Sequence, residues 1–260
     1  GKTVVGSIAQ CTDYWEYPKV NQGYFAPTYP QIRDIFYPTI EEVAHWLGLR
    51  AEIKQGDKEV SFFEGRRYRG TTICRSMERP ETIICFKIGH ALVDELDVMT
   101  TEKAERAWNK IIARMRYQDA PNRVDVTTTP EGFKFVYQRF KDQATASYGL
   151  VQASTYDNEA NLPDDYIDSL VETYPQELID AYLNGQFVNL TSGTVYYAYD
   201  RQENDSNETI QPGEMLRIGM DFNVGNMSAC IYVVRGDVWH MVSELSGMFD
   251  TPAIVKTIKE

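Results

Sequence analysis

The sequence predicts an α/β fold built on a doubly wound, mostly parallel sheet, and three observations carry that expectation. Strand-like and helix-like segments alternate through the first half of the chain, a pattern that lays helices on both faces of a sheet. The run Ala91-Leu92-Val93, preceded by Ile83-Ile84-Cys85-Phe86 and Ile88, has the near-continuous apolar character of a strand buried on both faces. That run stops at Asp94-Glu95, with Asp97 just beyond, where open α/β sheets hold their ligands.

Each element follows from local pattern. Gly1-Lys2-Thr3 opens onto a segment whose apolar positions Val5, Ile8 and Ala9 predict a helix. Tyr24-Phe25-Ala26 reads as a strand, and beyond Pro27-Thr28 a helix carries Ile32, Ile35, Phe36, Ile40 and Val43 on one side and closes at Gly48. EVSFFEG is a short strand, and TIICFKIGHALV supplies the next strand or a closely spaced pair. Thr100 and Thr101 are placed to cap a helix bearing Ala104, Ala107, Trp108, Ile111 and Ile112. NRVDVTTTPEG is a further strand, ending at Thr127-Thr128-Thr129 and stopped by Pro130. Towards the C-terminus, residues Leu216–Phe222, Met227–Val234 and Val238–Glu244 read as three strands. The glycine turn Arg235-Gly236-Asp237 makes them an antiparallel meander, and a helix follows with Thr251 as cap and Pro252 at its first position.

Composition narrows the function classes. The 260 residues, 43% apolar and 25% charged, suffice for one large or two medium domains. A net charge of −12 is the wrong sign for coating nucleic acid by electrostatics alone, so DNA contact must come from local basic faces. Candidates are Arg66, Arg67 and Arg69 around Tyr68, and Lys110, Arg114 and Arg116 on a helix. No stretch approaches the roughly 18 apolar residues of a membrane span, and a soluble, intracellular protein is expected. Cys11, Cys74, Cys85 and Cys230 lack C-x-x-C spacing and are expected as buried, reduced thiols.

The chemistry concentrates at Gly1-Lys2-Thr3 and Asp94-Glu95. In a phosphate-binding loop a lysine reaches the β- and γ-phosphates, a Ser/Thr hydroxyl ligates Mg²⁺, and a helix begins at once so that its N–H groups face the anion. Gly1, Lys2 and Thr3 match the end of that loop, and its upstream glycines are missing, which implies a fragment. With the strand ending at Asp94-Glu95 they predict a nucleoside triphosphatase of P-loop NTPase type, Asp94 holding Mg²⁺ through water and Glu95 orienting the attacking water. Thr127, Thr128 and Thr129, on the adjacent strand, would bring hydroxyls within reach of a γ-phosphate. Each feature has a structural alternative: acids as helix-start residues, threonines as strand formers.

Taken in order, YFAPTYPQIRD, ALVDELD, VDVTTTPEGFKFVYQRF, ANLPDDYIDSLVETYPQELIDAYLNGQFV and IGMDFNVGNMSACIYV resemble the large terminase subunit of tailed bacteriophages and related prophages over nearly the whole chain. That family joins a packaging ATPase to an RNase H-like nuclease. The resemblance implies an ATPase core over 1–142, a helical lid and linker over 143–213, and the beginning of an RNase H-like domain over 214–260. It makes Gly1, Lys2 and Thr3 the end of Walker A, Asp94 and Glu95 the Walker B acid and catalytic glutamate, and Thr127 to Thr129 the coupling motif. Implied cofactors are ATP with Mg²⁺, and two divalent ions, Mg²⁺ or Mn²⁺, for the nuclease. Implied partners are double-stranded viral DNA, the portal protein, the small terminase subunit and further copies in a ring on the procapsid, in the cytoplasm of an infected bacterial host, with no place in the mature virion and no membrane partner. Arg75 and Arg79 are candidate arginine fingers.

Asp221, within the apolar strand IGMDF, is the expected first carboxylate of the nuclease, Glu244 a weaker candidate, with further acids expected beyond Glu260. His45, His90 and His240 lack metal spacing, and His90 is expected as a satisfied core residue. Half a phosphate loop and a partial nuclease centre predict negligible activity for the isolated 260-residue chain. Two alternatives remain open: a helicase-like DNA-dependent ATPase outside packaging, and a non-catalytic interaction protein whose acids are caps.

Overall fold

The computed structural model describes residues 1–188, 190, 204–222 and 227–259. The chain divides into two compact units, Gly1–Ser192 and Gly193–Glu260. Part of the expected linker, residues 189 and 191–203, and residues 223–226 and 260 lie outside the described residues.

The first unit holds α1 (Lys2–Glu16), β1 (Gln22–Ala26), the single turn α2 (Tyr29–Gln31), α3 (Tyr37–Trp46), β2 (Arg50–Lys54), β3 (Glu59–Glu64), β4 (Arg67–Ser76), β5 (His90–Asp94), α4 (Thr101–Ile112), β6 (Arg123–Thr127), the turn α5 (Phe135–Tyr137), α6 (Tyr166–Thr173) and α7 (Gln176–Tyr182). Its sheet runs β2-β3-β4-β1-β5-β6. Strands β4, β1, β5 and β6 pair in parallel, while β2 and β3 add an antiparallel edge. The mostly parallel sheet is therefore the one expected, with β1 and β5 buried along their whole length.

Side-chain alternation divides the core. Tyr24 and Leu92 point to the face covered by α1 and α3, with Cys11, Tyr14 and Phe36. Phe25, Ala91 and Val93 point to the other face, under Ala107 and Trp108 of α4. Asp94, two residues after Leu92, falls on the α1 face. Gly6 lets α1 lie close to β5, because a Cβ there would stand 2.5 Å from a Leu92 methyl.

Several local expectations are corrected. The helix after β1 carries a π-turn at Ile32–Phe36, in which Tyr37 N–H donates to Ile32 O. Pro38 explains it, since a proline ring in a regular helix collides with the preceding turn's carbonyl. The apolar run over 83–88 is not a strand: Pro80–Thr82 form a 3₁₀ turn and Cys85 adopts a left-handed φ of 62°, so the chain loops while Ile83 and Ile88 remain buried. Strand β4, by contrast, includes the basic stretch taken for a DNA-contact patch. Arg69 is buried beneath it, giving its Nε–H to Tyr14 O at 3.0 Å and an Nη2–H to Trp15 O at 2.9 Å, so it caps the C-terminal carbonyls of α1. Arg114 and Arg116 lie past the end of α4, leaving Lys110 as the helical member of the other basic candidate. Of the cysteines, Cys11 and Cys74 are buried and Cys85 is exposed.

The second unit is an antiparallel sheet β7-β8-β9 of Arg217–Asp221, Met227–Arg235 and Val238–Met248, followed by α8 (Thr251–Lys259). Gly236, with φ of 62°, makes the expected two-residue hairpin. The helix cap is Asp250 rather than Thr251, its Oδ1 accepting the Ala253 N–H at 2.9 Å. Among the described residues no helix is long and apolar enough to cross a membrane.

Candidate functional site

The parallel sheet delivers its chemistry at the carboxyl ends of β5 and β6, beside the first turn of α1. Asp94 and Thr127 are register partners in the β5–β6 ladder. The Asp94 carboxylate is nearly closed off, at 3% exposure. Its Oδ2 accepts from Thr3 Oγ1 at 2.8 Å and from Tyr24 OH at 2.8 Å, and its Oδ1 accepts from Thr127 Oγ1 at 2.7 Å. A carboxylate this buried needs such donors, since unpaired it would carry a desolvation cost of several kcal/mol. Burial, then the charge of Asp94, push the Tyr24 phenol well above its ordinary pKa, so that it is a fixed donor.

Glu95 turns away from the strand in a left-handed conformation, φ 50° and ψ 45°. A non-glycine residue there costs about 1–2 kcal/mol. The Glu95 N–H donates to Thr127 O at 2.7 Å, which holds the turn closed. Its carboxylate then meets Lys2 Nζ at 3.3 Å and accepts the Thr129 N–H at 3.2 Å, with Thr128 Oγ1 at a long 3.5 Å. Lys2 Nζ also donates to Thr129 Oγ1 at 2.8 Å. The Lys2–Glu95 pair is partly exposed, 45% and 29%, and an ion pair in that setting contributes less than about 1 kcal/mol, so a competing phosphate can replace it.

The structure thus brings Lys2, Thr3, Asp94, Glu95 and Thr127 to Thr129 into one constellation. Gly1 is the N-cap of α1 and contributes backbone alone. Asp97 departs from the alternative reading of these acids as solvent-facing helix-start residues. It is fully buried, its Oδ1 accepts the Val136 N–H at 3.0 Å, and Thr128 Oγ1 accepts the Asp97 N–H at 3.3 Å. Burial pushes its carboxyl up against the pull of the Val136 and Glu131 N–H donors. Asp97 ties α5 to the threonine strand. Next to α5, Glu131 Oε1 accepts from Tyr182 OH of α7 at 3.2 Å, which pins the helical segment to the residues following the threonines. Sequence reasoning missed Tyr24, Glu131 and Tyr182: a tyrosine inside an apolar strand reads as core, and nothing local to the other two shows that they meet 51 residues apart.

At the other end of the same strands His90 is buried between two acids. Its Nε2 lies 2.9 Å from Asp125 Oδ2, and its Nδ1 lies 2.9 Å from Asp13 Oδ2 as a close charge contact out of hydrogen-bond alignment. Arg123 completes the group, 3.1 Å from Asp13 and 3.3 Å from Asp125. Burial opposes charge on His90, but Asp125 and then Asp13 outweigh it and raise its pKa. His90 is the core residue expected, but only its Nε2 is hydrogen-bonded, and its surroundings are far more charged than those of a lone histidine.

Of the finger candidates, Arg75 gives a hydrogen bond to Cys74 O and lies over the Phe86 ring, whereas Arg79 is exposed. In the second unit, Asp221 ends β7 opposite Ser228 and is exposed, as is Glu244 opposite Cys230. The premise that Asp221 is an acid inside a core strand is therefore corrected. Among the described residues no group of three or more His, Cys, Asp or Glu side chains is placed to hold a metal.

A family model described as the N-terminal part of the T4likevirus-type terminase large subunit matches residues 1–202. The chain belongs to this terminase large subunit family. Among solved structures, the large terminase of a thermophilic bacteriophage is similar over 100% of this chain and 66% of its own, with a TM-score of 0.64 and 17% identity. The same protein in complex with ADP matches with a TM-score of 0.63 at 17% identity, over 100% and 66% of the two chains. The large terminase ATPase domain of Thermus phage P74-26 matches 72% of this chain and 84% of its own, with a TM-score of 0.54 and 15% identity. The terminase chain thus spans 66% of the length of the first of these. No protein with a curated description matches it.

Proposed function

We propose that this terminase chain carries the ATPase centre of a viral DNA-packaging motor, which hydrolyses ATP to drive double-stranded DNA through the portal into a procapsid. One observation carries the reading: side chains from α1, β5 and the β6 end, far apart in sequence, converge as a lysine, a hydroxyl, a buried carboxylate and a second, more open carboxylate.

The donor set suits Mg²⁺. Asp94 and the Thr3 hydroxyl are hard oxygen ligands, and Thr3, by giving its hydrogen to Asp94, keeps oxygen lone pairs for a cation. Thr3 and Asp94 would hold the ion, which when bound neutralises phosphate charge. Lys2 supplies a positive charge at the N-terminus of α1, where helix N–H groups favour an anion. Glu95 orients the attacking water and accepts its proton, its carboxylate aimed by the Thr129 N–H and the left-handed backbone. Thr127 to Thr129 couple the site's state to the chain beyond, since they touch Asp94, Glu95 and Asp97 together.

Asp221 in the second unit is proposed as one carboxylate of a two-metal, Mg²⁺- or Mn²⁺-dependent nuclease of RNase H-like type, which needs further carboxylates brought to it. The small terminase subunit and other copies in a ring are the proposed partners, and the host cytoplasm is the proposed setting.

The deciding experiment measures ATP binding and DNA-stimulated hydrolysis in a full-length large subunit carrying these residues. Glu95→Gln is expected to retain binding and lose turnover by about 10²–10⁴-fold. Equal turnover in the two proteins would make the acid pair a capping feature and defeat the reading.

A further inference from the structure

Three hydroxyls converge on Asp94, and the sequence motifs account for two of them. The third, Tyr24 OH, comes from β1, on the opposite side of β5 from Thr127. Tyr24 is the register partner of Leu92, two residues before Asp94, so its phenol reaches forward along the sheet by about 6.6 Å, two strand residues, to meet the carboxylate. Its ring is 1% exposed and stacked on Phe36, with centroids 3.5 Å apart and planes at 9°. Packing alone would be met as well by phenylalanine, so the hydroxyl is the informative atom. It donates to Oδ2, the same oxygen that Thr3 addresses. Donors from the helix and from both flanking strands leave the carboxylate one orientation.

We propose that Tyr24 is a positioning residue for the Mg²⁺–nucleotide centre: from the core side it fixes the Asp94 carboxylate in the orientation the cation requires. The proposal rests on the reading of Asp94 as the acid on the metal side of the ATPase. It assigns to Tyr24 no contact with nucleotide.

The test is a fluorescence titration of a full-length large subunit with a fluorescent ADP analogue, across a Mg²⁺ series and in EDTA, with thermal unfolding measured in parallel. Tyr24→Phe keeps the ring and its stacking. It is expected to leave affinity in EDTA unchanged while raising the Mg²⁺ concentration for half-maximal tight binding about 10-fold, within the range typical when a partner of a metal ligand is removed. Excess Mg²⁺ is expected to restore both binding and turnover. Phe36→Leu, which removes the stacking partner and keeps the hydroxyl, is expected to follow wild type in its Mg²⁺ dependence. A wild-type Mg²⁺ curve for Tyr24→Phe, an equal loss with and without Mg²⁺, or loss of the fold would each assign the hydroxyl to structure alone and overturn the proposal. Asp94→Asn in the same titration separates the two claims: if it keeps Mg²⁺-dependent binding, the reading of Asp94 itself fails whatever Tyr24 does.

Discussion

Thr3 Oγ1 donates to Asp94 Oδ2 at 2.8 Å, joining the first turn of α1 to the end of β5 across 91 residues of sequence. That bond places the N-terminus of α1 beside the end of β5, where the chain turns into Glu95.

Thr3→Val keeps the shape of the side chain and removes the donor. It is expected to destabilise the fold by about 1.5–3 kcal/mol, as for a hydrogen bond to a charged group. ATP turnover at limiting Mg²⁺ should fall at least about 10-fold, and Thr3→Ser should recover most of it. Wild-type kinetics in Thr3→Val would exclude the hydroxyl from the metal side of the site.

The Asp13–His90–Asp125–Arg123 group gives a pH signature. Because the folded pKa of His90 is raised, the stability it contributes is fully present below its ordinary value of about 6.5 and is lost as pH rises through the higher folded value. The thermal midpoint of the wild type should therefore decline as pH rises above about 6.5. His90→Gln should be lower by about 3–5 kcal/mol at pH 6, having left two acids short of a cation, and should lack that decline. Parallel pH profiles for the two proteins would contradict the assignment of charge to His90.

Arg69 separates packing from DNA contact. Arg69→Ala removes two charged hydrogen bonds to the end of α1 and the stacking over Trp15, and should cost about 2–3 kcal/mol in stability. The salt dependence of DNA binding should be unchanged, because a cation bonded to carbonyls in the core neutralises no phosphate. A reduced salt slope would return Arg69 to the interface.

Asp221→Asn in a full-length large subunit should lower DNA cleavage by at least about 10²-fold while ATP turnover stays near wild type. Undiminished nicking of plasmid DNA would remove Asp221 from the nuclease centre.

Much of this was legible in the sequence because the proposed ATPase site is local in its parts: a lysine and a threonine at a helix start, and two acids where an apolar strand ends. Their convergence followed from parallel topology. Strand β4 escaped because its arginines and Gly70 mask the alternation, although it is the parallel neighbour of β1. The opposite error over residues 83–86 came from equating apolar with extended, when the chain loops there, burying Ile83 and leaving Ile84 and Cys85 exposed. Tyr24 and Asp97 were beyond sequence reasoning for a common reason: their roles depend on partners 70 and 39 residues away.

The Lys2–Glu95 contact has a consequence for fidelity. The ammonium that a triphosphate would claim is also a partner of the carboxylate that would activate water. If the proposed roles hold, drawing Lys2 toward phosphate would release Glu95 from this ion pair in the same movement. On that reading the contact would link nucleotide arrival to release of the base without a separate gate.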